Sequence, residues 1–237
     1  PAPPTADAAT HDPTDHAVPA EQLSPVAVRT QLEGLLGQHA ILTVRLTRAR
    51  LRGDEDLAQT ADGALSKNAA DLAAPIGAVY GAEAAETFEQ AWFNHITYVF
   101  DYARGVADDD AAVTAEARNQ LDDYVTELSE YLGDATHQAM PVEGVAEELR
   151  MHVDHLLEQV DAYAAEDYER AFQLERESYA HMFPLGKALA TGIVTGEGAT
   201  LPAEFDSPAA ELQSQLGMTL GEHAELANLA AFLVSDG

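Results

Sequence analysis

Histidines are the residues in this chain with chemistry to offer. His39, His95 and His152 follow one another at steps of 56 and 57 residues, each inside an apolar pattern of helical period. The stretch Leu36-Gly37-Gln38-His39-Ala40 returns near the C-terminus as Leu220-Gly221-Glu222-His223-Ala224. A neutral imidazole nitrogen is a ligand for zinc, copper, nickel or iron, and a dry helical interior favours the neutral form. A repeated inward histidine therefore points either to a transition-metal site or to a repeated structural need.

Turn signals at Gly53, Asp109 and Glu166 allow the heights of these residues to be compared. His39 lies 14 residues before Gly53 and Asn68 lies 15 after it, so the two sit level across an antiparallel helix pair. The same counting sets His95 level with Tyr124 and His152 level with His181. If three hairpins stack with their first helices inward, His39, His95 and His152 converge at one level and His181 completes a four-nitrogen set. Such a set predicts zinc or copper, and Met140, Met151 and Met182, near the third hairpin in sequence, tilt the expectation towards copper. The competing reading makes each histidine a buried anchor that donates to Asn68, Tyr124 or a backbone carbonyl and fixes hairpin register. His155, with Asp154 and Glu158 beside it, is expected on the surface, and His11 and His16 in a solvated arm.

The elements that must position these groups are helices. Ser24-Pro25 reads as an N-cap followed by a first-turn proline, and Ser207-Pro208 repeats it. Three antiparallel hairpins are predicted at about 25–80, 82–133 and 141–194, with a seventh helix at about 208–234 and a bend near Pro184. The fold class is thus an all-α bundle of three helical hairpins plus an additional C-terminal helix. Its organisation reads as an acidic, Pro-rich arm at 1–22, the bundle at 23–194, a linker at 195–206 and a lone helix at 207–237 that begins a fourth unit. Leu212, Leu216, Leu220, His223, Leu226, Ala230 and Leu233 give that helix a stripe too apolar to leave in water. It is expected to dock on its own bundle or, the favoured reading, to pair with a second copy as a homodimer through residues 208–234.

Composition narrows the function classes. Over 237 residues, 41 Asp plus Glu oppose 12 Lys plus Arg, a net charge of −29, which argues against binding nucleic acid or anionic lipid. The absence of cysteine excludes disulfides, thiolate metal sites and cysteine nucleophiles. No apolar run is long enough to insert in a membrane. No histidine has Glu three positions before it, as a ferritin-like di-iron site requires, and neither His-Glu-x-x-His nor Gly-x-Ser-x-Gly occurs. The expectation is a binding protein rather than an enzyme.

The stretches Leu36-Gly37-Gln38-His39-Ala40, Trp92-Phe93-Asn94-His95-Ile96 and Tyr179-Ala180-His181-Met182 resemble those of exported, alanine-rich helical-repeat proteins of actinobacteria. The resemblance spans roughly residues 25–235 and implies a helical-hairpin bundle that is secreted or held at the cell surface. Where the Leu-Gly-x-His-Ala helix of that group opens a second bundle, this sequence supplies one helix. That group has no securely assigned function; the histidines themselves suggest two, an exported bundle that binds zinc or copper for storage, buffering or sensing, and a structural or interaction module of the cell envelope whose histidines only pin helices.

Overall fold

The computed structural model describes residues 24–196 and 198–235, and side chains as far as residue 230. The sequence-predicted arm at 1–22 lies outside the described residues. Among the described residues seven α-helices follow in order: α1 (Pro25–Arg52), α2 (Glu55–Tyr80), α3 (Ala82–Ala107), α4 (Ala111–Ala135), α5 (Val142–Ala164), α6 (Tyr168–Thr195) and α7 (Pro208–Ser235). There is no strand among the described residues, so the all-α expectation holds. Pro184 lies inside α6, which continues to Thr195 as one helix.

The three hairpin turns are built alike. Gly53, Asp109 and Glu166 all have left-handed φ, at 70°, 53° and 59°, and each is followed by an aspartate. The backbone amides of Asp54, Asp110 and Asp167 bond back to Ala49, Gly105 and Ala162 and close the first helix. Their carboxylates then accept from the first free amides of the next helix, those of Leu57, Val113 and Arg170. One residue thus ends a helix and starts the next, which fixes the turn length and sets every hairpin to the same register. A negative side chain at a helix N-terminus is also favoured by the backbone dipoles.

Packing arranges the hairpins in a closed ring. The first helices α1, α3 and α5 touch one another in the middle. Outside them, α2 lies against α1 and α3, α4 against α3 and α5, and α6 against α5 and α1. Closure between the last hairpin and the first needs close backbone approach. At Gly186 of α6 any side chain would begin 2.8 Å from the backbone of Glu33 in α1, so glycine is required there. Leu32, Leu36, Leu65, Leu72, Phe88, Ile96, Leu121, Leu149 and Leu156 fill the shared core. A leucine or phenylalanine buried in this way contributes roughly 1.5–3 kcal/mol each.

Helix α7 lies on α1 and α6 of its own bundle. The segment leading to it is tied down by Phe205, which is buried and whose carbonyl accepts from Arg29 at 2.8 Å. The contact is made by the charged side of α7. Glu211 bonds Lys187 at 2.7 Å and Arg29 at 3.0 Å, Glu222 bonds Arg176 at 2.6 Å, and Glu225 pairs with Arg45. Leu212, Leu216, Leu220 and Leu226 point away from the bundle, between 41% and 64% exposed. The apolar stripe read from the sequence therefore faces outward from Leu212 to Leu226, while the side chain of Leu233 lies outside the described residues.

Candidate metal centre

Each inner helix carries its histidine 14 residues before its turn, and the three turns are alike, so the three histidines arrive at one height. Mutual contact of α1, α3 and α5 then brings them to one point. His39, His95 and His152 are fully buried, at 0% exposure each. One nitrogen from each lies within 4.8 Å of the other two. The Nε2 atoms of His39 and His95 are 3.2 Å apart. Two nitrogens that share an ion at about 2 Å stand roughly 3.3–3.5 Å from one another, so this pair already has the spacing of two ligands.

Aromatic rings hold the imidazoles in place. Trp92 packs against His39 and His95, at centroid distances of 5.1 and 4.9 Å, and Phe88 stacks on Trp92 at 5.3 Å. Tyr124 stacks on the His95 ring at 4.6 Å and 22°. The one hydrogen bond within the cluster joins the Nε2 atoms of His39 and His95. Four of the six ring nitrogens, Nδ1 of all three histidines and Nε2 of His152, have no hydrogen-bond partner. A buried polar atom without a partner costs about 1–3 kcal/mol, so the protein maintains this cluster at a cost in stability.

Electrostatics keeps the cluster neutral. Burial lowers the pKa of His39, His95 and His152 well below the ordinary imidazole value, because a charged ring cannot be solvated there. Repulsion within the group adds to this: His95 acts on His39, His152 on His95, and His39 on His152. At neutral pH each ring therefore offers a lone pair, the form that binds a metal ion.

His181, the fourth sequence-predicted ligand, stands apart from this trio. Its Nε2 donates to the Glu148 carbonyl of α5 at 3.1 Å, a bond between the two helices of the third hairpin. His155, expected on the surface, is half-buried and meets the His181 ring at 5.8 Å. His223, the copy on α7, is exposed. Met151 is exposed as well, so it supplies no thioether at the centre. The first-helix histidines gather, and the second-helix residue of each hairpin faces another task.

The fold and the site together define a class: a closed six-helix bundle of three hairpins, with a seventh helix docked on α1 and α6 and three buried imidazoles where α1, α3 and α5 meet. No protein family, curated protein or solved structure matches the chain.

Proposed function

We propose that the protein binds one transition-metal ion, zinc or copper, through His39, His95 and His152. The observation that carries this reading is the set of three buried, neutral imidazoles within ligand distance of one another, with four of their six nitrogens unpartnered. Buried nitrogens that pinned helices would be hydrogen-bonded; only the Nε2 atoms of His39 and His95 are, to each other, and both nitrogens of His152 are without a partner. Neutral nitrogen donors without carboxylate suit zinc and copper better than magnesium or calcium, which take oxygen ligands. One three-ligand site among the described residues is a small capacity, which favours buffering or sensing over bulk storage. Export to the cell surface or medium belongs to the same proposal and rests on the sequence resemblance. No helix among the described residues is long and apolar enough to cross a membrane.

The test is metal content and uptake. Protein purified without an affinity tag and titrated with zinc(II), and with copper(I) under exclusion of air, is expected to take up one ion per chain. His152→Leu abolishes that uptake with the helical circular dichroism unchanged. Stoichiometric uptake that survives in His152→Leu places the ion elsewhere, and a wild-type chain that takes up neither ion leaves the histidines a structural role.

The second part of the proposal is a homodimer through α7. Its three carboxylates are all spent on the parent bundle, so the outward leucine stripe carries no charge. In a chain of net charge −29, such a face can meet its own copy without setting like charges against each other, in an isologous helix pair.

A further inference from the structure

A fully buried site needs a way in, and the wall around the three histidines is not uniform. Between α3 and α4 lies a groove of about 620 Å³ whose lining includes Glu83, Glu86, Asp123, Glu127 and Tyr124. Tyr124 is 4% exposed, and its ring stacks on His95. One residue therefore touches both an acidic groove and a candidate ligand.

We propose that this groove is the port through which the cation reaches His39, His95 and His152, with the Tyr124 ring as its gate. The inference rests on the metal reading above and adds a route to it. Two further observations support the gate. The Tyr124 hydroxyl is buried and has no hydrogen-bond partner, so no bond must break for the ring to swing. In the first and third hairpins the residue at this height binds its partner helix, Asn68 to the Leu35 carbonyl and His181 to the Glu148 carbonyl. Tyr124 makes no such bond, which leaves the middle hairpin unpinned at the level of the site.

The chemistry runs in one direction. Glu86, Asp123 and Glu127 are exposed, and carboxylates on an acidic surface raise the local concentration of a hydrated cation. Oxygen ligands hold zinc or copper less firmly than imidazole nitrogens do, so transfer from groove to centre is downhill. The rival way in lies on the α5–α6 side, past His155 and His181. There the His181 Nε2–H is already committed to a carbonyl, and Arg170 lies among the carboxylates, bonded to Glu158 at 3.1 Å.

The experiment is stopped-flow loading of the metal-free full chain with zinc(II), followed by competition with a chromophoric chelator. Glu86→Gln, Asp123→Asn and Glu127→Gln together are expected to slow loading at low salt by at least about five-fold. The difference should shrink at high salt, with the stoichiometry unchanged. Tyr124→Ala should speed both loading and release, while Tyr124→Phe, which keeps the ring, should match the wild type. The three carboxylates are on the surface, so that variant tests the port even if Tyr124→Ala fails to fold. Wild-type rates in the carboxylate variant, combined with slow loading in His155→Gln/His181→Gln, would move the port to the α5–α6 side and overturn the inference while the metal site stands. A wild-type chain that takes up no zinc at all removes the metal reading and the port with it.

Discussion

Asn68 and His181 make the same bond at the same place in two different hairpins. Asn68 Nδ2 donates to the Leu35 carbonyl at 2.9 Å and His181 Nε2 to the Glu148 carbonyl at 3.1 Å, each acceptor 33 residues earlier in the chain. Leu35 and Glu148 in turn lie four residues before His39 and His152. The second-helix residue pins the hairpin, and the first-helix histidine is released from that duty.

This equivalence predicts which substitution of His181 is tolerated. Asparagine performs the task in the first hairpin, so His181→Asn should keep most of the stability that His181→Ala loses. Each lost bond costs about 0.5–1.5 kcal/mol, and Asn68→Ala should fall in the same range. Chemical denaturation of the three variants is the check. Equal losses in His181→Asn and His181→Ala would mean that packing, not the bond, holds this position.

The unpartnered nitrogens of His152 give a prediction of opposite sign. Leucine has a similar volume and no polar atoms, so His152→Leu relieves two buried, unbonded nitrogens. The metal-free variant should be more stable than the metal-free wild type by about 1–3 kcal/mol, seen as a higher midpoint in thermal or urea unfolding. A destabilised variant would show that the imidazole is a structural part of the core.

Acid should unfold the protein through the same cluster. The three imidazoles have folded pKa values well below their ordinary one, whereas the unfolded chain protonates them near 6.5. Their contribution is therefore constant above about pH 6.5 and falls as the pH drops below it, by up to roughly 4 kcal/mol per pH unit for three groups. Glu211, held down to about 2 mainly by its bond to Arg29, weakens the fold only at lower pH, below the ordinary carboxylate value. Urea midpoints measured from pH 8 to pH 4 should be flat and then drop below about 6.5, and bound metal should leave in the same window. In His39→Leu/His95→Leu/His152→Leu the drop should move to lower pH.

The outward stripe of α7 predicts self-association. The full chain should sediment as a dimer at high micromolar concentration, and Leu216→Gln/Leu220→Gln should be monomeric with an unchanged circular dichroism spectrum. A monomeric wild type at that concentration would leave the stripe to a different partner.

Local chemistry is what the sequence determined. A residue suited to left-handed φ or a short turn, followed by a capping aspartate, marks each hairpin turn at Gly53, Asp109 and Glu166, and apolar spacing marks the inward face. From those two signals come seven helices, three hairpins and the equal height of His39, His95 and His152, because turn length and helix rise are set by neighbours in the chain. Which of the equal-height residues meet was decided by packing. Only the ring of α1, α3 and α5 gathers three histidines and leaves His181 between α5 and α6, and nothing local distinguishes it from the others. Arg48 is a further case: a charge near the end of α1, it is partly covered by partners that α6 brings to it, Glu175 at 2.8 Å and the Phe172 ring at 4.6 Å. Helix α7 has the same cause. Its leucine stripe is legible, but its orientation is not, because that depends on Arg29, Lys187, Arg176 and Arg45 waiting on α1 and α6 to bind its carboxylates. A helical period states which residues share a face; only the partners brought from distant parts of the chain state which face turns inward.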